Sequence, residues 1–176
     1  HSEHGELASG LTGYGRMAEP KDIFQFINKD ISSSLPLKNK KVLINAGPTY
    51  ESIDAVRFIG NRSSGKMGCE LALCVAKLGA QVELILGPSS QNPISEMIQL
   101  TRVESAEEMY KESMNRFSNS DIVIACAAVA DFKPLNYCNE KIKKEKGFTS
   151  IELEMTKDIL ADMGAEKNSQ FLVGFA

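Results

Sequence analysis

The sequence predicts an α/β fold, a doubly wound, mostly parallel, Rossmann-like sheet with helices on both faces. Three observations carry this. Apolar, β-branched runs recur at Val42-Leu43-Ile44, Val82 to Leu86, Asp121 to Ala128 and Phe171 to Phe175. Stretches of helical spacing lie between them, and such alternation builds parallel sheets through helical crossovers. Three of the runs end in small residues: Gly47-Pro48-Thr49, Ala127-Ala128-Val129-Ala130-Asp131 and Gly174-Phe175-Ala176. Small side chains at strand carboxyl ends let a ligand approach the backbone.

Residues 1–38 have a different texture. They are glycine-dense up to Gly15 and lack a buried period, which describes a loop with little core of its own. From Pro20 a short amphipathic helix follows, with Ile23, Phe24, Phe26 and Ile27 as its apolar contacts. It ends toward Asp30-Ile31-Ser32-Ser33-Ser34-Leu35-Pro36, a serine-rich linker closed by proline. A boundary near Lys38 separates this tail from a domain over 39–176.

In that domain the first strand leads into a long polar loop. Ser64 then caps a helix through about Leu78, with Met67, Leu71, Val75 and Leu78 as its apolar face and Gly79 as its stop. Val82 to Leu86 is a second strand and Met97 to Val103 a third. Ser105-Ala106-Glu107-Glu108 has the serine-x-x-acid signature of a helix start, and that helix runs to Phe117. Asp121 to Ala128 reads as a central strand, apolar on both faces. Ile151 to Met155 is a short strand, Asp158 to about Glu166 a helix, and Phe171 to Phe175 a buried strand. Phe132 to Gly147 is too long and polar for an ordinary connection, and Lys141, Lys143, Lys144 and Lys146 load it with positive charge. It reads either as a solvated loop or as a lysine-rich flap closing over an anionic substrate.

Composition bounds the function. A chain of 176 residues, 43% hydrophobic and 24% charged, buries one core of ordinary size. A net charge of −3 argues against a nucleic-acid partner. Cys69, Cys74, Cys126 and Cys138 form no C-x-x-C pair, and three of them lie in runs that read as buried, so free thiols in a reducing cytoplasm are expected. No apolar run approaches the roughly 20 residues of a membrane span, and no signal peptide precedes the fold. The expectation is a soluble, cytoplasmic protein.

The chemistry concentrates between Lys41 and Gly68. Strand, glycine-bearing loop and helix start, in that order, make an anion site from converging N–H groups and the positive helix end. Gly65, Lys66 and Gly68 are assigned to it, Gly47 ends the strand beside it, and Arg57, Asn61 and Arg62 load the loop with donors. Gly60 to Met67 nearly matches G-x-x-x-x-G-K-[ST], but Met67 stands where a hydroxyl is needed and the loop does not follow its strand directly. The dinucleotide spacing G-x-G-x-x-G is absent, which disfavours an NAD(P)-dependent reductase. A plain alternative is that the glycines let helix and strand pack closely.

At these residues the chain resembles a known family. GPTYESIDAVRFIGNRSSGKMG, with Ala127 to Phe132 and Glu140-Lys141-Ile142-Lys143-Lys144, is similar to the phosphopantothenoylcysteine synthetase domain of bacterial coenzyme A biosynthesis. That phosphopantothenate–cysteine ligase is usually the C-terminal half of a bifunctional protein. Its N-terminal half is a flavin-dependent phosphopantothenoylcysteine decarboxylase. The segments Gly5 to Gly10 and Gly15 to Pro20 are similar to the decarboxylase's closing glycine-rich flap, with Ser9 where many members carry a reductive cysteine. FMN is implied only upstream of this chain.

The resemblance implies a reaction. The carboxylate of 4′-phosphopantothenate attacks the α-phosphorus of CTP, giving an acyl-cytidylate and pyrophosphate; the amine of L-cysteine then displaces CMP. Mg²⁺ is implied with the triphosphate, and its protein ligands are unassigned. Asn61 is implied as the donor to the acyl intermediate, and Arg57 as a further catalytic group at the substrate end. Ala127 and Ala128 are assigned to phosphopantothenate, Asp131 and Phe175 to the nucleotide, and Lys141 to both nucleotide and cysteine transfer. A homodimer is implied, and a higher oligomer with the decarboxylase. Family members continue past Ala176, so an incomplete domain is expected. The rival of another class is a non-catalytic module that binds a phosphorylated ligand or holds an assembly.

Overall fold

The computed structural model describes residues 3–143 and 150–175. The chain forms two compact units, one ending at Lys38 and the other starting at Asn39.

The first unit is more regular than its glycine content suggests. Strands β1 (Glu3–Glu6) and β2 (Thr12–Arg16) pair antiparallel. Gly10, at φ 76°, makes the turn, with its N–H on the Leu7 carbonyl at 2.8 Å. The ladder supplies the backbone partners that the expected loop lacked. Helix α1 (Pro20–Ser33) starts with proline in its first turn and continues past the expected stop near Asp30. The apolar contacts expected of it are not made in full: Phe24 and Phe26 are 64% and 69% exposed.

The second unit continues with β3 (Lys41–Ala46), β4 (Tyr50–Ser52), β5 (Phe58–Gly60), α2 (Lys66–Lys77), β6 (Gln81–Leu86) and β7 (Ile98–Arg102). It closes with α3 (Ala106–Phe117), β8 (Ile122–Ala125), β9 (Phe132–Pro134), β10 (Leu153–Met155), α4 (Ile159–Glu166) and β11 (Phe171–Gly174). Five strands form a parallel sheet in the order β11-β8-β3-β6-β7. The chain moves outward from β3 in one direction through β6 and β7 and in the other through β8 and β11, which is the doubly wound arrangement. Its switch point lies between β3 and β8. The middle strand is therefore β3, and β8, after Asp121, is an interior strand beside it, as expected. Among the described residues β11 pairs with β8 alone, and Phe171 is 67% exposed, so this strand is an edge rather than buried.

Side-chain alternation along the strands divides the core. Leu43, Ile85 and Val123 pack with Met109 and Phe117 of α3 and Ile159 and Met163 of α4. Each such side chain contributes about 1.5–3 kcal/mol by leaving water. On the opposite face Ala46 meets α2 at Gly68. The buried residues of α2 are Gly68, Cys69, Ala72 and Ala76. The predicted apolar face is displaced, and Met67 is 49% exposed. Small residues win because they allow the helix axis closer to the sheet. The helix stop at Gly79, φ 96°, stands as expected.

Two antiparallel pairs lie outside the main sheet, one of them using the short strand expected over Ile151 to Met155. The long polar loop folds as β4 against β5, with Tyr50 stacked on Phe58 at 4.0 Å between ring centroids. Residues 132–134 join β10 in an antiparallel pair, which takes the start of the expected flap into ordered structure. Of that flap, Lys144, Lys146 and Gly147 lie outside the described residues. Ser105 and Glu108 form the expected capping box. All four cysteines are free; Cys69 is buried, but Cys74 is exposed, against the expectation for its run.

Candidate functional site at the switch point

Where β3 and β8 part, buried polar groups fix the backbone that follows β8. Asn45, 2% exposed, accepts from the Cys126 and Ala127 amides at 3.1 and 3.2 Å through Oδ1. The Ala128 amide donates to the Gly47 carbonyl at 2.8 Å. Buried Thr49 accepts from the Ala130 amide at 2.9 Å. The Thr156 hydroxyl donates to the Ala130 carbonyl at 2.6 Å, and its amide donates to the Asp131 carbonyl at 2.9 Å. Residues 126–131 are thereby held in one conformation.

A cleft of about 500 Å³ opens beside them. Asn45, Ala127, Val129, Asp131, Lys157 and Phe175 are among its lining. Ala127, Asp131 and Phe175 are thus brought together by the fold. Asn61 borders the cleft rather than lining it: its Nδ2 donates to the Ala128 carbonyl at 3.3 Å and the Val129 carbonyl at 2.9 Å. The β4–β5 hairpin places it there. A Cβ on Gly60 would lie 2.6 Å from the Tyr50 ring and 2.8 Å from the Thr49 carbonyl oxygen, so only glycine lets β5 settle on β4 and deliver the next residue.

The glycines before α2 behave differently. Gly65, in the left-handed region at φ 72°, caps α2 without a side-chain bond. Ser64 is not the cap residue; its hydroxyl accepts from the Lys66 amide at 3.4 Å, and that of Ser63 from the Gly65 amide at 3.3 Å. A Cβ on Gly68 would stand 2.3 Å from the Ala46 Cβ and 2.9 Å from Cys126 Sγ. Close helix–sheet packing accounts for this glycine. Gly47, Gly65, Lys66 and Gly68 do not line the cleft. Burial first, and then the neighbouring Cys69, push the Cys126 thiol up to about 11, so it stays protonated at neutral pH.

Arg57 and Lys141 belong to a third cluster. The Arg57 guanidinium engages the buried Asp54 carboxylate and donates to the Ile142 carbonyl at 3.0 Å. Lys141 is the residue before Ile142, and neither it nor Arg57 lines the cleft.

Sequence reasoning missed Asn45 and Lys157. Asn45 is the lone polar residue in the buried run from Val42 to Ala46, a signal that was present. Lys157, whose ammonium lies 4.3 Å from the Tyr110 ring centroid, had none beyond its place before the helix cap Asp158. A second groove, about 460 Å³, lies among Gln81, Glu83, Met97 and Arg116, at the start of β6 and β7. Ligands of such sheets sit at the carboxyl ends, which favours the switch-point cleft. Among the described residues no group of three His, Cys, Asp or Glu side chains could hold a metal, and no helix is long and apolar enough to cross a membrane.

A doubly wound α/β domain with a cleft of mixed polar and apolar lining at its switch point is the class that fold and site define. A family model, the DNA/pantothenate metabolism flavoprotein C-terminal domain, matches residues 37–176, and the chain belongs to that family. A cysteine/cysteine sulfinic acid decarboxylase of an unknown prokaryotic organism is 50% identical over 98% of this chain and 49% of its own length. The coenzyme A biosynthesis bifunctional protein CoaBC of Bacillus subtilis (strain 168) is 45% identical over 98% of this chain and 43% of its own. The chain spans about half the length of the curated relatives it matches. The crystal structure of the C-terminal domain of a CoaBC protein superposes with a TM-score of 0.71 at 43% identity, covering 81% of this chain and 67% of that one.

Proposed function

We propose that residues 39–176 ligate L-cysteine to 4′-phosphopantothenate at the expense of CTP. The first step forms a bond from the substrate carboxylate to the α-phosphorus and releases pyrophosphate. In the second the cysteine amine attacks the acyl carbon, loses a proton and displaces CMP. The observation that carries this reading is the Asn61 amide seated on the Ala128 and Val129 carbonyls at the rim of the cleft. A fixed amide there orients an acyl group, and the cleft beside it offers Asp131 and Lys157 for polar groups and Phe175 for a base. The CoaBC likenesses support the same pathway.

Ala127 and Ala128 contact phosphopantothenate through backbone groups, and Lys141 serves nucleotide binding and the cysteine step. Mg²⁺ would enter with the nucleotide and would screen its phosphate charge. Residues 1–38 are the closing segment of a decarboxylase whose FMN binds upstream. The matches to relatives over 98% of the chain support this, since they extend past the family model's start at residue 37. The working unit is a cytoplasmic homodimer, and a higher oligomer with the decarboxylase.

The test is pyrophosphate release by the full-length protein with CTP. Release that requires phosphopantothenate, followed by CMP release that requires cysteine, is the expected result. Nucleotide bound without turnover would instead make this a binding module, and comparison with ATP fixes the base preference.

A further inference from the structure

Asp54 is an unusual residue for a hairpin loop. It is 3% exposed. Its carboxylate takes five donors. Oδ1 accepts from the Val56 and Arg57 amides at 2.9 and 2.8 Å. Oδ2 accepts from the Arg57 Nε at 2.9 Å, from Arg57 Nη2, and from the Ile142 amide at 3.1 Å. A buried carboxylate is tolerated only when its charge is matched and its lone pairs are filled, and here both conditions hold.

One of those bonds, and one more from Arg57, reach a distant segment. Ile142 gives its amide to Asp54 and its carbonyl accepts from Arg57 at 3.0 Å, so the ion pair grips both sides of one peptide residue. The grip continues upstream: the Cys138 amide donates to the Ile53 carbonyl at 3.2 Å, and Asp54 and Cys138 form a parallel bridge. The 53–57 loop is closed on itself by the Ile53 amide on the Arg57 carbonyl at 2.8 Å. That loop and residues 138–142 form one fastened block with Lys141 on its surface, and β5 runs from the same block to Asn61.

We infer that Asp54 is a positioning residue, which with Arg57 latches residues 138–142 to the β4–β5 hairpin and so sets Lys141 relative to Asn61. Its consequence for turnover rests on the ligase reading above; the latch itself does not. Arg57 serves the latch through its bonds to Asp54 and Ile142. The Arg57 guanidinium holds the Asp54 carboxyl well below the usual carboxylate range, so the latch stays charged at neutral pH.

Hydrogen exchange on the full-length protein tests the latch. Asn at 54 has one acceptor oxygen, so its NH₂ would face donors and one side of the grip is lost. In Asp54→Asn, exchange of a peptide covering 138–143 should accelerate at least about tenfold while that of β6 stays unchanged. Arg57→Lys, which keeps charge but loses the fork, should give a smaller acceleration confined to the same peptide, and serves if Asp54→Asn does not fold. Product formation by Asp54→Asn should fall at least about tenfold in kcat with the β6 exchange still at the wild-type rate. Unchanged exchange at 138–143, equal acceleration in β6, or release of the segment with undiminished turnover would each overturn the inference. If the wild-type protein shows no CTP-dependent ligation, the ligase reading falls, and the exchange comparison alone decides the latch.

Discussion

The two sides of the β3 carboxyl end carry similar small-residue sequences and do opposite things. On the α2 side, Gly65 and Gly68 are filled in: the space where their Cβ atoms would stand holds Leu86 and Gly47 in one case, Ala46 and Cys126 in the other. On the β8 side, Ala125, Ala127 and Val129 face an open cleft of about 500 Å³. Small residues therefore report close approach but not what approaches. On one side it is a helix, and on the other there is room for a ligand.

Four measurements sharpen or break that contrast. Gly68→Ala should cost about 2–3 kcal/mol in denaturant midpoint, because the new methyl meets Ala46 and Cys126 with no flexible end to yield. The helix-propensity gain of alanine, about 1 kcal/mol, offsets only part of this. A neutral result would mean that the α2 side is looser than its geometry. Asn61→Asp should lower ligation about a hundredfold with little change in melting temperature, since a carboxylate cannot donate to the two carbonyls it faces. Turnover within a few-fold of wild type would remove Asn61 from the mechanism.

Phe175→Ala should raise the nucleotide KM about tenfold, the low end of what base stacking on an aromatic ring supplies, and leave stability intact because the ring is 52% exposed. An unchanged KM would empty the cleft of its proposed base. Gly164→Ala is the mildest, with nothing within 4 Å of the new Cβ. It should stabilise α4 by about 0.5–1 kcal/mol, readable in the thermal midpoint, and shows that the cost at Gly68 comes from contact rather than from backbone.

Much of the fold was legible because the signals were local. The Ser105–Glu108 box, the Gly79 stop and the apolar strand runs each act within a few residues, and the structure contains all of them. The hairpins were not legible. β4 with β5 and β9 with β10 are three-residue strands whose partners lie across a turn or a long excursion, too short to show a period of two. The burial of α2 was misread for a related reason: its larger apolar residues had the right spacing, but the sheet demanded the small ones.

The site divides in the same way. Ala127, Asp131 and Phe175, expected to lie together because all follow the carboxyl ends of parallel strands, do line one cleft. Arg57 was read as a catalytic group, and its partner Asp54 passed unnoticed, because an ion pair three residues apart in a loop has the sequence of any polar turn. Only the fold brings Ile142 between them.

What the sequence by itself determined was the order of the five parallel strands and the helices between them, the Ser105 cap, the Gly79 stop, and which strand ends carry small residues, since these depend on propensity and period within one segment. The tertiary structure alone decided which glycines are packed shut, that Asn61 rests on the backbone after β8, and that Asp54 joins the hairpin to residues 138–142. The last two depend on contacts between segments some 67 to 88 residues apart, and no local pattern records the distance across which a side chain will find its partner.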